Sequence, residues 1–136
     1  MKKILALLFT ALLSLQAAAP KYAKGYNEAL EAAQKAKKPV VLVISSHHCH
    51  YCDMFDKETL GKEMVIKALD RDFVTTVVYP ESGDYVPRQL LTGATPTIWF
   101  LAPDGQPMFD PVMGAVGEAD FVKFLAIVHD VFERAQ

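Results

Sequence analysis

Between residues 25 and 37 apolar side chains recur at helical spacing: Tyr26, Ala29, Leu30, Ala33 and Ala36 share one face. Glu28 and Glu31 lie near the start of this segment and Lys35, Lys37 and Lys38 near its end, so both charge groups complement a helix dipole. Pro39 stops the helix and opens Val40–Ile44, a run of apolar, mostly β-branched residues. Such a run, without alternation, predicts a strand buried on both faces. Residues 53–60 have the composition of a helix that Gly61 would end, and residues 62–71 predict another, with Met64, Val65, Ala68 and Leu69 on one face. Residues 73–79, FVTTVVY, predict a second strand. A strand–helix–strand order of this kind favours parallel pairing.

The second half changes character. Residues 97–101, TIWFL, and residues 108–113 predict two strands joined through Pro103-Asp104-Gly105-Gln106, where Asp-Gly supplies a tight turn and therefore antiparallel pairing. After Gly114 a long amphipathic helix is expected to run to the end, with Phe121, Phe124, Leu125, Val128, Val131 and Phe132 at three- and four-residue intervals, covering one face of the sheet. Trp99 and Phe100 are expected in the core, and residues 82–87 as the most exposed loop. No internal repeat, low-complexity tract or interdomain linker interrupts the order.

With 136 residues, 51% hydrophobic and 22% charged, the chain has room for one ordinary globular domain. Residues 1–19 stand apart: Lys2 and Lys3 precede an apolar run from Ile4 to Leu15 that ends in Ala17-Ala18-Ala19, the order of a secretory signal peptide. The run falls short of the about 20 apolar residues a membrane span needs. The expected organisation is a signal over residues 1–19, with a cleavage site the pattern does not fix, and one domain over residues 20–136, periplasmic or otherwise exported. Taking Lys2 and Lys3 from the 14 basic residues leaves 12 against 16 acidic, a charge of −4. That balance predicts no nucleic-acid partner and membrane contact only through the signal segment. Outside the cytoplasm no glutathione pool keeps thiols reduced, so a lone cysteine pair would by default be oxidised.

Both cysteines and three of the four histidines fall in one stretch, SHHCHYC at residues 46–52. A Cys-x-x-Cys serves three uses: a metal site, a structural clip, or dithiol–disulfide exchange. Cysteine and histidine are suitable ligands for zinc or copper, and two thiolates suit Cu(I). A structural zinc site wants four ligands, usually with a second cluster, and only His129, on the flank of the closing helix, lies outside the motif. A structural disulfide across so few residues removes little loop entropy and stabilises weakly. Ser45 and Ser46 lack the third group of a hydrolase triad, and Asp53, Asp56 and Glu58 read as a solvated helix face.

The order of these elements resembles thioredoxin: a buried strand, Cys-x-x-Cys at the entrance to a helix, a crossover to a parallel strand, Thr95-Pro96 leading a hairpin, and a closing helix. The likeness spans residues 24–134 and is strongest at Lys38-Pro39-Val40-Val41-Leu42, Cys49-His50-Tyr51-Cys52, Gly93-Ala94-Thr95-Pro96-Thr97 and Pro103-Asp104-Gly105. The added N-terminal helix is similar to the exported thioredoxin-like branch. The resemblance implies an α/β thioredoxin fold, with a central mixed sheet flanked by helices and an extra helix at the N-terminus. It also implies a cis bond before Pro96, facing the cysteines, and a substrate chain held by the backbone around Thr95 and Pro96 through short β-like hydrogen bonds. Thr95 and Tyr51 together are similar to the active site of periplasmic disulfide isomerases, whose dimerisation domain has no counterpart here. Two further departures are His48, where the family usually has tryptophan, and the absence from Val40–Ile44 of the buried acid of cytoplasmic thioredoxins.

If a helix begins at the motif, Cys49 sits at its first exposed turn, where unpaired N–H groups and the positive end of the dipole stabilise a thiolate. Cys52, three residues on, is near enough to close the ring and more enclosed. Cys49 is therefore expected to attack and Cys52 to resolve. His50, with His48 and Tyr51 around the pair, is expected to tune it, because a protonated imidazole lowers a nearby thiol pKa and makes the disulfide a stronger oxidant. The expected function is an exported thiol-disulfide oxidoreductase acting on cysteine-containing proteins, reductase or isomerase rather than oxidase, exchanging electrons with a membrane thiol-disulfide donor or acceptor. It needs no cofactor and no metal, since the dithiol stores the two electrons. The alternative is a non-enzymatic copper- or zinc-carrying module.

Overall fold

The apolar run Val40–Ile44 forms strand β1, and all five of its residues are buried because the strand lies inside the sheet and helices pack against both of its faces. The computed structural model describes residues 21–136; the signal expected over residues 1–19 lies outside them. Among the described residues no helix is long and apolar enough to cross a membrane.

Helix α1, Tyr26–Ala36, precedes β1 and ends where Lys37 turns left-handed (φ 53) and Pro39 cannot continue the helix. Helix α2, His50–Phe55, follows β1 and runs into a π turn, Asp56–Leu60. Next come α3, Glu63–Asp72, and β2, Val74–Val78, then 3₁₀ turns at Pro80–Ser82 and Arg88–Leu90. Strands β3, Thr97–Leu101, and β4, Val112–Met113, lead to the closing helix α4, Glu118–Arg134. The sheet order is β2-β1-β3-β4. β1 pairs parallel with β2 and antiparallel with β3, and β3 pairs antiparallel with β4. This mixed four-stranded sheet flanked by helices, with α1 as the added N-terminal helix, is the thioredoxin fold.

Alternate residues of β1 feed two cores. Val41 and Val43 join Phe55, Leu69, Phe121 and Leu125 on the face covered by α2, α3 and α4. Val40, Leu42 and Ile44 join Ala29, Ala33 and Trp99 on the face covered by α1. Trp99 is buried with its indole N–H donating to the Leu90 carbonyl at 2.8 Å, which satisfies its one polar atom.

The structure corrects three boundaries and the buried face of one helix. The strand expected over residues 108–113 shrinks to Val112–Met113, because after the bridge of Leu101 to Pro107 the chain leaves the ladder. Pro111 has no N–H to donate and its fixed φ does not suit a continuing strand. The helix expected to begin at residue 53 begins at His50, since Cys49 caps it. The closing helix starts at Glu118, four residues after Gly114. On α3 the buried residues are Val65, Ile66 and Leu69, while Met64 is 63% exposed. α3 touches both α4 and β2, which turns its apolar stripe toward Ile66.

The register sets where the site lies. Ile44, the last residue of β1, stands opposite Thr97, the first of β3, and opposite Val78, the last of β2. The loops after β1, after β2 and before β3 therefore converge at one end of the sheet, the usual place for function on a rigid scaffold.

Candidate active site

At that end Cys49 adopts an extended backbone (φ −133, ψ 110) and its sulfur accepts the Cys52 N–H at 3.1 Å, so the cysteine itself caps α2. Cys49 and Cys52 are paired as a disulfide with their Cα atoms 5.2 Å apart. The two sulfurs are not equivalent: Cys49 is half-buried, whereas Cys52 is 4% exposed. α2 is seated by Phe55, whose ring meets Phe121 edge-on at 5.3 Å. Its π turn is tied down by buried Thr59, whose hydroxyl donates to the Val116 carbonyl at 2.7 Å. Gly61 closes this turn; a Cβ there would press on the Asp56 and Lys57 carbonyl oxygens at 3.2 Å.

Facing the disulfide is the Thr95-Pro96 peptide bond, which is cis. The Thr95 hydroxyl donates to Cys49 Sγ at 3.4 Å, and the Thr95 carbonyl oxygen lies 3.5 Å from the same sulfur. Two further threonines shape this loop. The Thr97 hydroxyl, fully buried, donates to the Ala94 carbonyl at 2.8 Å and meets the Thr92 hydroxyl at 2.7 Å, and Thr92 in turn accepts the Ala94 N–H at 3.2 Å. The sequence placed Thr97 in the proline motif and at the start of a strand but gave its hydroxyl no role, and it passed over Thr92; the run of three threonines around the proline was the signal for both.

The histidines spread out rather than converge. His50 is exposed and packs edge-on against the ring of Tyr51, itself 60% exposed, at 5.6 Å. His48 is exposed, with only its backbone N–H reaching Ser46 Oγ at 3.5 Å. His47 stacks on Tyr79 at 4.0 Å, and its backbone N–H donates to Glu81 Oε1 at 2.7 Å. That hydrogen bond is the main reason the Glu81 carboxyl titrates below the usual range. Among the described residues, the hydrogen bonds to Cys49 Sγ come from Cys52 N–H and the Thr95 hydroxyl, with none from an imidazole. His129 lies far along α4, its Nε2 4.0 Å from Asp72 Oδ1. Among the described residues no three His, Cys, Asp or Glu side chains are grouped as a metal ion would need.

Behind Cys52 lies a cavity of about 80 Å³, lined by Val43 and Val77 and by the polar residues Ser45, His47, Asp56 and Tyr79. Asp53 and Asp56 are exposed, as a solvated helix face requires, yet both also border this cavity. Nearby, Tyr22 has a buried hydroxyl with no partner among the described residues, and its pKa is pushed up to about 12 by burial first and by the charge of Asp56 second. On the other side of the loop, a wider groove of about 350 Å³ runs from Thr95 past Ala94 and Leu91 to Pro80 and Glu81.

Comparison with known proteins agrees with this geometry. Residues 26–129 match the family described as thioredoxin-like domain. A thioredoxin from Thermus thermophilus superposes with a TM-score of 0.69 at 27% identity, over 82% of this chain and 88% of that one. DsbH oxidoreductase superposes with a TM-score of 0.68 at 18% identity, over 84% of this chain and 88% of that one, a likeness of fold alone. Human spermatogenesis-associated protein 20 is 31% identical over 89 residues, which are 60% of this chain but 11% of that protein.

Proposed function

The chain belongs to the thioredoxin-like domain family, and from that premise we propose that it is a thiol-disulfide oxidoreductase acting on cysteine-containing proteins, as a reductase or isomerase. One observation carries the reading: a half-buried Cys49 and an enclosed Cys52 joined as a disulfide at the start of α2, with the Thr95 hydroxyl and carbonyl on the outer sulfur. A partly accessible sulfur that accepts hydrogen bonds, and a hidden one behind it, is the asymmetry an exchange reaction requires.

In the reducing direction the Cys49 thiolate attacks one sulfur of a substrate disulfide, and the other substrate sulfur leaves as a thiolate that takes a proton from water. Cys52 then loses its proton and attacks Cys49 Sγ, which releases the second substrate thiol and leaves the Cys49–Cys52 disulfide. Two electrons pass from the dithiol to the substrate, and a membrane thiol-disulfide donor returns them. The thiolate form of Cys49 is favoured by the N–H groups of the first turn of α2 and by the Thr95 hydroxyl. The exposed rim of His48, His50 and Tyr51 is available to tune the pair and meet the substrate. Substrate backbone would pair beside Thr95 and Pro96, whose loop is held rigid by Thr92 and Thr97. Export is part of the proposal, supported by Lys2-Lys3 and the apolar run behind them.

Insulin reduction with a dithiol donor tests the reading. Wild type is expected to catalyse it, Cys49→Ser to fall to the uncatalysed rate, and Cys52→Ser to accumulate a mixed disulfide with substrate. The equilibrium potential of the Cys49/Cys52 couple, measured against glutathione, decides direction: a value near the about −270 mV of thioredoxin supports reduction, and one near about −120 mV supports oxidation. Equal insulin reduction by wild type and Cys49→Ser would sink the proposal.

A further inference from the structure

The groove beside Thr95 is continuous with the reacting sulfur, because Thr95 both lines it and touches Cys49. Its walls are apolar or uncharged, among them Ile44, Leu91 and Pro80, and Glu81 is the one charged residue that lines it. Among the described residues Glu81 makes no ion pair, although its neighbourhood fixes it firmly. Pro80 opens the 3₁₀ turn that carries it, the Ser82 N–H closes on the Tyr79 carbonyl at 2.9 Å, and the Asp84 carboxylate accepts the Tyr79 N–H at 2.8 Å. The His47 N–H holds one carboxylate oxygen at 2.7 Å, and the carboxylate is exposed toward solvent.

We propose that Glu81 and this groove form a side-chain subsite that selects substrate chains carrying a lysine or arginine close to the reacting cysteine. The shape and the chemistry agree. A long cationic side chain has an apolar stem and a charged head. The stem fits against Leu91, Ile44 and Pro80, and the head meets a carboxylate that is already ordered and so loses little entropy on pairing. A neutral side chain would fill the groove without the charge, and an acidic one would meet Glu81 as a like charge. The hydrogen bond from His47 keeps the Glu81 carboxyl below the usual range, so the charge is present at neutral pH and below. The subsite rests on the oxidoreductase reading and adds to it a preference that the cysteine pair alone would not give.

The test uses synthetic peptides of glycine, serine and alanine, each with one cysteine capped as a mixed disulfide with 2-mercaptoethanol. A single lysine, glutamine or glutamate is moved through the three positions on either side of the cysteine. Reduced protein and peptide are mixed, the reaction is quenched at intervals, and the second-order rate of peptide-thiol release is measured. Within each protein the quantity read is the ratio of lysine-peptide to glutamine-peptide rates. Wild type is expected to give a ratio of about two- to fivefold at one or two adjacent positions, the size an ordered but exposed ion pair can supply. Raising the salt concentration should shrink that ratio. Glu81→Gln keeps an oxygen for the His47 N–H and removes only the charge, so its ratio should fall to about one; Glu81→Lys should favour the glutamate peptides. A wild-type ratio of one everywhere, an equal gain at every position, or a ratio that survives in Glu81→Gln would overturn the subsite while leaving the oxidoreductase reading intact. If no peptide is reduced by wild type, both fall together.

Discussion

Thr95 presents two oxygens to one sulfur: its hydroxyl donates to Cys49 Sγ at 3.4 Å and its carbonyl oxygen lies 3.5 Å from the same atom. In the reduced protein the hydroxyl is a donor to the thiolate and the carbonyl an acceptor for the thiol. The two oxygens therefore favour opposite protonation states of Cys49, and removing the side chain leaves the carbonyl's preference for the thiol. Thr95→Val is close to isosteric and deletes only the donor. A hydrogen bond to a charged group is worth about 1.5–3 kcal/mol. Allowing for solvent at this half-buried position, the Cys49 thiol pKa should rise by about one unit. Absorbance at 240 nm against pH measures it; identical titrations would remove the hydroxyl from the account.

His50 stands beside Cys49 in sequence but packs on Tyr51, not on the sulfur. Its influence would be through space. His50→Ala should raise the Cys49 thiol pKa by less than one unit and make the couple more reducing, at about 30 mV for each 1.4 kcal/mol. The effect should grow toward acidic pH, where an imidazole carries its proton. Equal potentials for wild type and variant at pH 5.5 and pH 8 would show that the residue acts only as surface.

Phe121 carries the seat of α2, with its ring against Phe55 at 5.3 Å and Phe100 at 6.4 Å. Phe121→Ala should cost about 3–5 kcal/mol and lower Tm by on the order of 10–20 °C. Val131, on the same helix but 41% exposed, provides the contrast: Val131→Ala should cost about 0.5 kcal/mol or less. Calorimetry that found similar losses for both would contradict the assignment of the two faces of α4.

Tyr22 supplies a pH prediction. Its folded pKa of about 12 exceeds the ordinary phenol value of 10.0, chiefly through burial. The unfolded chain thus loses this proton first as pH rises. The stabilisation is fully present below pH 10 and is lost progressively between about pH 10 and pH 12. Tyr22→Phe cannot ionise, so its Tm should fall less steeply across that interval than wild type does. Parallel melting curves from pH 9 to pH 12 would contradict the burial of this hydroxyl.

Much of the fold was legible because each element buries one face, and burial writes a period into the local sequence. The unbroken apolar run at Val40–Ile44 announced a central strand. The three- and four-residue spacing of Phe121, Leu125, Val128 and Phe132 announced the covering helix. The cysteine pair was equally visible, since residues three apart at a helix start meet whatever the rest of the chain does. Periodicity failed where it was interrupted: Pro111 broke the ladder expected over residues 108–113, and the contacts of α3 with two neighbours turned its stripe away from Met64.

What only the tertiary structure decided was which loops meet. Thr95 lies 46 residues from Cys49, and Glu81 lies 34 from His47. No local pattern relates them. They become neighbours because the order β2-β1-β3-β4, parallel on one side of β1 and antiparallel on the other, brings the ends of β1 and β2 and the start of β3 to one end of the sheet. The sequence by itself determined the chemistry carried by the two sulfurs and the elements that frame them. Strand pairing determined which hydroxyl, carbonyl and carboxylate stand around them, because long-range contacts are fixed by packing the sheet as a whole.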